Sequence, residues 1–290
     1  MQACRPYDSA AGNSSNVTDR GPLWSRRQRV IIMIDLYGYS LLTIFLVGLA
    51  AIFAVSELGW HLGARNEGRG GANISTLESA MLGLLALIIG FTFAMALSRF
   101  EARREAVLNE ANAIGTTALR ARLLPDPHRA ETLKLLREYI QLRLDVIQSG
   151  QSLAERRAAV DRSNDIQEAL WLQVRALIVK DSGMVPTGLF IQALNEMIDD
   201  QAKRLAALRN RVPNVVLLGL FGIAAVVGGF AGYASGRDTK RTRLPVYMMG
   251  FLVATVILLI LDLDRPSSGF ITNNQQSMID TAASMAAFSD

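Results

Sequence analysis

The sequence predicts an all-α integral membrane protein: four transmembrane helices, with a helical domain inserted between the second and third. Three observations carry this reading. Half of the 290 residues are apolar and 19% are charged, against about 25% charged in an ordinary globular domain. The apolar residues are gathered into four long blocks that contain no Lys, Arg, Asp or Glu. The stretch between the second and third blocks is charged and punctuated like a series of helices, with no strand-like alternation and no hairpin signal.

A helix needs about 20 apolar residues to cross a hydrocarbon core roughly 30 Å thick. The first block runs from Leu36 to Ser56, the second from Ser79 to Ser98, the third from Val212 to Ser235 and the fourth from Leu244 to Leu261. A core helix of a soluble protein keeps a polar stripe, and these blocks have none. Arg26, Arg27 and Arg29 precede the first block in the manner of a secretory leader. However, its apolar run exceeds the 7–15 residues of a leader and begins after about 30 polar residues, so it is expected to be retained. The division that follows is a mobile tail at 1–29 (rich in Ser, Asn, Gly and Asp), spans one and two within 30–98, a helical domain at 99–211, spans three and four within 212–263, and a C-terminal tail at 264–290.

Within 99–211 the helices follow one another closely. Phe100, Val107, Ala111, Ile114 and Ala118 share one helical face, which continues span two without a break. Pro125-Asp126-Pro127 ends that helix, with Asp126 as N-cap and Pro127 as the first residue of the next, which reaches about Gln148. Ser149-Gly150 separates it from a third helix, opened by a Ser152/Glu155 capping box and running to about Lys180. Ser182-Gly183 and Pro186 break the chain before a fourth helix, from about Thr187 to Pro213.

Basic residues set the expected orientation. One side carries Arg20, Arg26, Arg27, Arg29, Arg99, Arg103, Arg104, Lys203, Arg204, Arg209, Arg211 and Arg265. The other carries Arg65, Arg69, Arg237, Lys240, Arg241 and Arg243. The richer side places both termini and the helical domain in the cytoplasm, although the third loop, GRDTKRTR, runs against that bias.

Most chemistry is excluded early. A single cysteine, Cys4, rules out an internal disulfide framework and a cysteine-based metal site, and two histidines, His61 and His128, leave little for a histidine centre. Both read as surface residues, His61 in the first interspan loop and His128 near a helix start. Asp35 reads as an interfacial residue at the edge of span one. No Walker A loop, GxSxG elbow, HExxH or strand-borne GxGxxG occurs. The net charge of +4, without a basic stripe interleaved with aromatics, gives no nucleic-acid partner. No enzyme, metal or cofactor is expected. The expected partners are the bilayer, small inorganic ions and further copies of the chain.

Two patterns remain. In span three, Ala224, Gly228, Gly232 and Gly236 recur every fourth residue, a stripe on which another helix can approach closely, from within the chain or from another subunit. In span two, Gly83, Leu87 and Phe91 are spaced by four, Met95 continues the line and Ser98 lies close to it. Ordinary packing has this spacing. If copies surrounded an axis with this face inward, it would make an apolar constriction opening into a polar vestibule, of the kind that gates by dewetting.

The segment GLLALIIGFTFAMALSRFEARREAVLNEANAIG resembles the second span of bestrophins, in which a Gly-Phe pair leads into a charged helix with an aromatic and arginines. Gly90-Phe91 and Arg99-Phe100-Glu101-Ala102-Arg103 match those parts. The chain is most similar to bacterial bestrophin-like membrane proteins, over roughly Leu36 to Ile271. Other shared parts are Asn109 to Gly115, Asn195-Glu196-Met197-Ile198-Asp199, and Asp262-Leu263-Asp264-Arg265-Pro266 with Gly269-Phe270. The resemblance implies a pentameric ion channel whose hydrophobic neck is formed here by Leu87 and Phe91, with Gly83 at its outer end. Gly83 departs from the bulky residue expected there, which implies a wider outer pore. The long acidic run that follows the last span in calcium-gated bestrophins is missing, so no calcium dependence is implied. Glu101 and Arg103 are candidates for the vestibule. Asp262 and Asp264 are candidates for its cytoplasmic rim or, with Arg265, for a helix-end anchor at headgroup level. The alternative function is a non-conducting membrane scaffold or sensor whose helical domain binds a cytoplasmic protein.

Overall fold

In the computed structural model, residues 36–65, 72–148, 153–180, 185–238, 242–266 and 269–288 are described. The tail expected at 1–29, Asp35, the Ser149-Gly150 and Ser182-Gly183 breaks, the Ser152 cap, and Arg69, Lys240 and Arg241 lie outside them. A 3-10 turn at Leu36–Gly38 leads to α1 (Leu41–Arg65), α2 (Ala72–Ala121), α3 (His128–Gln148), α4 (Leu153–Lys180), α5 (Val185–Arg209), α6 (Asn214–Arg237), α7 (Leu244–Asp264) and α8 (Gln276–Ala286). Four helical stretches are long and apolar enough to cross a membrane, and they contain the four charge-free blocks. Among the described residues there is no strand.

Local chemistry adjusts the boundaries. The first apolar block does not become helical until Leu41, because Ser40 caps the helix: its Oγ accepts the Thr43 N–H at 3.1 Å. The same helix continues beyond Ser56 to Arg65, which puts His61 on a helix rather than in a loop, 3.6 Å from the Glu57 carboxylate one turn earlier. The helix after Pro125-Asp126-Pro127 opens at His128, and Asp126 pairs with Arg129 at 2.7 Å.

Two hydrophobic clusters share α2. The first joins its N-terminal half (Leu85, Ala96) to α1, α6 and α7. The second joins its C-terminal half (Ala111, Ile114, Ala118) to α3, α4 and α5, through Tyr139, Leu170, Phe190 and Met197 among others. The C-terminal segment, expected as a tail, contributes α8 to this second cluster: Met278 and Met285 are buried, and Thr281 Oγ1 lies 3.4 Å from the Ala111 carbonyl oxygen. Eleven residues are too few for a helix to be stable alone, and docking of its buried methionine face on α2 supplies the stability that local propensity does not.

The stripe of small residues on α6 meets α1 of the same chain. Ala224, Gly228, Gly232 and Gly236 are all buried. A methyl group added at Gly232 would stand 2.1 Å from the Ser56 carbonyl oxygen, and one at Gly236 would stand 2.3 Å from that of Trp60. The contact is reciprocal: at Gly59 of α1 an added carbon would meet the Gly229 carbonyl at 1.9 Å. Backbone touches backbone here, so neither helix can yield by rotating a side chain. Overpacking costs about 1–3 kcal/mol even where side chains can move, and Gly232→Val is expected to exceed that range. In thermal or denaturant unfolding of the purified protein, Gly232→Val should fall well below wild type. Gly222→Ala, where an added carbon meets nothing within 4 Å, should not.

Candidate functional site

The neck candidates lie on the free side of α2. At about 100° per residue, Leu85, Thr92, Ala96 and Arg103 point into the chain and are buried. Gly83, Leu87, Phe91, Ser98 and Glu101 lie on the other side and are exposed. Leu87 is 55% exposed and Phe91 67%, comparable with the outward-facing Val47 (66%) of α1 and Leu252 (60%) of α7. Met95, at 36%, flanks the same strip. Small residues, Ala86, Gly90 and Ala94, stand between the bulky ones, and the strip continues past Ser98 into Glu101, Arg104 and Glu105, all exposed. The structure therefore brings Gly83, Leu87, Phe91, Met95, Ser98 and Glu101 onto one ribbon that is apolar at one end and polar at the other.

Three vestibule and rim candidates are placed elsewhere. Arg103 is only 1% exposed and donates from Nη2 to the Leu263 carbonyl oxygen at the end of α7. It stands two residues, and so roughly 200°, from Glu101, and the two cannot line one passage. Asp262 is buried and closes a turn: its Oδ1 accepts the Phe270 N–H at 2.8 Å and its Oδ2 the Ile271 N–H at 3.0 Å. Asp264 is buried and accepts the Val212 N–H at 2.8 Å and the Tyr37 hydroxyl. Arg265 donates to the carbonyl oxygens of Leu36 at 3.2 Å and Tyr39 at 2.6 Å. In this chain the Asp–Leu–Asp–Arg sequence is a knot that ties the starts of spans one and three to the end of span four.

A second buried polar cluster sits further along α2. Glu110 is fully buried, with Arg143 Nε 2.8 Å from Oε1 and Arg204 bonded to Oε2. The Tyr139 hydroxyl lies 2.8 Å from Gln201 Oε1 and 3.3 Å from Glu110 Oε1, and Gln167 donates to the same Gln201 oxygen. One carboxylate thus joins α2, α3 and α5, with α4 attached through Gln167. Burial alone would raise the Glu110 pKa, but the two arginines outweigh it and hold the carboxyl below its ordinary value of 4.5. Sequence reasoning missed this cluster, although its signal was present: Glu110 lies three residues after Val107 and four before Ile114, on the apolar face. Among the described residues no group of three or more His, Cys, Asp or Glu could hold a metal ion.

These features define a class: an all-helical, four-span membrane protein whose second span runs on as one rod into a helical bundle and carries an unpartnered ribbon along its length. The chain belongs to the bestrophin-like family, whose domain model matches residues 44–277. Its fold is that of a bacterial bestrophin homologue from Klebsiella pneumoniae, with a TM-score of 0.60 at 15% identity over 84% of this chain and 99% of that one. A single-substitution variant of that homologue superposes with a TM-score of 0.63 at 15% identity, over 86% and 100% of the two chains. Another gives 0.62 at 16% identity over the same shares. No curated protein matches the sequence.

The Glu110 cluster supplies a pH test. Because the folded carboxyl titrates below the unfolded value of 4.5, its contribution to stability is complete above that pH. It is lost as pH falls through the lower, folded value. Wild type should therefore keep its unfolding midpoint from neutrality down to about pH 5 and lose it steeply below pH 4. Glu110→Gln leaves two arginines buried without their counter-charge and is expected to cost about 3–5 kcal/mol at pH 7. A pH series of thermal unfolding on both proteins checks the sign: the gap between them should narrow in acid.

Proposed function

We propose that the chain assembles into a homo-oligomeric channel, with five-fold symmetry, in a bacterial inner membrane. It conducts small inorganic ions passively through a hydrophobic neck lined by α2, and both termini and the helical bundle face the cytoplasm. The observation that carries this reading is the ribbon of Gly83, Leu87 and Phe91. It lies opposite the face by which α2 packs into its own chain, and it leaves a phenylalanine 67% exposed in mid-span.

A purely lipid-facing surface needs only bulky apolar residues. This ribbon alternates them with Gly83, Ala86, Gly90 and Ala94, which let copies of the helix come close around an axis, and it turns polar at Ser98 and Glu101, where a vestibule would begin. Passive flow through an apolar constriction requires no ionisable group inside the membrane, and the ribbon holds none between Gly83 and Ser98. Arg103, Asp262 and Asp264 drop out of the pathway in this reading, because their side chains are committed to the chain's own interior. Gly83 leaves the outer mouth wider than the Leu87–Phe91 level.

Phe91→Ala should widen the constriction and raise single-channel conductance or leak severalfold in a planar bilayer. Ile88→Ala, on the packed side of the helix, should change it little. Discrete currents that ignore Phe91→Ala would move the pore away from α2. Silence from both wild type and variant, with intact oligomers in the bilayer, would overturn conduction and favour a scaffold that binds a protein through residues 99–211.

A further inference from the structure

Several exposed charges of the bundle are paired inside the chain: Arg129 with Asp126, Lys134 with Glu131, and Arg162 with Glu138. The exposed face of α2 differs. Just beyond its apolar stretch it carries Glu101, Arg104 and Glu105, all exposed. Among the described residues, none of these three has a hydrogen bond or an ion pair. Arg104 stands three residues after Glu101, a spacing at which two side chains of one helix can meet, and the two are not bonded. Three charges of both signs are thus presented outward on the same rod that carries Leu87 and Phe91.

Helical phase separates them. At about 100° per residue, the exposed residues of α2 cover roughly half of its circumference, from Ala86 and Arg104 at one edge to Leu84 and Ala102 at the other. Arg104 therefore points sideways from the ribbon, and Glu105 lies about 100° further round, near its middle. In a closed ring of five copies, the directions from one copy to its two neighbours diverge by about 108°. Consecutive residues of opposite charge suit such a ring, one reaching toward each neighbour at nearly the same height. The register is kept from the neck downward: α2 contains no proline, and Arg104 lies about 20 Å along the helix axis from Phe91. Two long side chains cover the gap that remains between neighbouring helices at that level.

We propose that Arg104 of one copy pairs with Glu105 of the next, closing a ring of ion pairs on the bundle side of the neck that fixes the register between α2 helices. This rests on the homo-oligomer proposed above and adds a contact that closes it. Ion pairs of this kind select the neighbour and its register more than they add affinity. Glu101, on the same face, is left to the vestibule.

The test uses the full-length protein in detergent, prepared in two mass-tagged populations whose exchange of subunits is followed by native mass spectrometry. Arg104→Glu sets carboxylates against each other and Glu105→Arg sets guanidinium groups against each other. A departing subunit breaks two such contacts, so each reversal should speed exchange about tenfold. The swap Arg104→Glu/Glu105→Arg should return the rate to near that of wild type. Pairing within one helix does not imitate this result: neighbours in sequence do not face each other, and Glu105→Arg gives Glu101 a favourable partner one turn on. Should a reversal fail to fold, Arg104→Gln and Glu105→Gln replace it. Each should speed exchange less, and the double variant no more than either alone. Exchange that ignores both reversals, or that the swap does not restore, would overturn the contact and leave the assembly standing. Wild type found only as a monomer would overturn the assembly, and the contact with it.

Discussion

The structure depends on α2 remaining one helix. Its 50 residues span about 75 Å at 1.5 Å per residue, and the two hydrophobic clusters are threaded on it in turn. Leu85 and Ala96 belong to one; Ala111, Ile114 and Ala118 belong to the other. No proline interrupts it, so a rotation or tilt imposed at one end is delivered to the other rather than absorbed at a kink. The two buried polar assemblies, Arg103 with the end of α7 and Glu110 with Arg143 and Arg204, fix its rotation about its own axis. That rotation decides which residues are left on the outside. The exposed ribbon is thus a consequence of how firmly the opposite face is held.

The membrane half solves a different problem. Between helices in lipid there is little hydrophobic force to drive association, and close backbone approach supplies dispersion contacts in its place. The α1–α6 pair does this with Gly59, Gly63, Gly228, Gly232 and Gly236. Gly83, Ala86, Gly90 and Ala94 of α2, like Gly219 and Gly222 on the outer face of α6, are exposed and make no such contact within the chain.

Much of this was legible in the sequence, for identifiable reasons. The four spans follow from absence of charge, which has one physical meaning over 20 residues. The helices of the bundle follow from prolines and glycines acting locally, and the face of Phe100, Val107, Ala111, Ile114 and Ala118 follows from periodicity. What stayed hidden depends on contacts distant in sequence. Helix α8 is only eleven residues long, too short to be stable by itself, and is stabilised by docking. The start of α1 at Leu41 rests on a serine cap inside an apolar run, and its extension through Glu57 and His61 defeats any reading that ends a helix at the first charge. That the α6 stripe lies against α1 could not be read from one helix of the pair.

The charged residues near the span ends teach the sharper lesson, because their spacing already constrained their roles. Neighbours two apart on a helix point roughly 200° apart, so Asp262 and Asp264 could not both face an axis, and neither could Glu101 and Arg103. Charge at a membrane boundary suits both a pore rim and a helix-end tie, and composition does not separate these. Helical phase does. Arg103 lies four residues before Val107 and seven after Ala96, in register with the buried face. Glu101 lies ten after Phe91 and three after Ser98, in register with the exposed one. Once α2 is taken as a single uninterrupted helix, phase carried down from the apolar half assigns each charge beyond it: those in register with Leu85 and Ala96 hold the fold, and those in register with Phe91 are free to meet ions or another subunit.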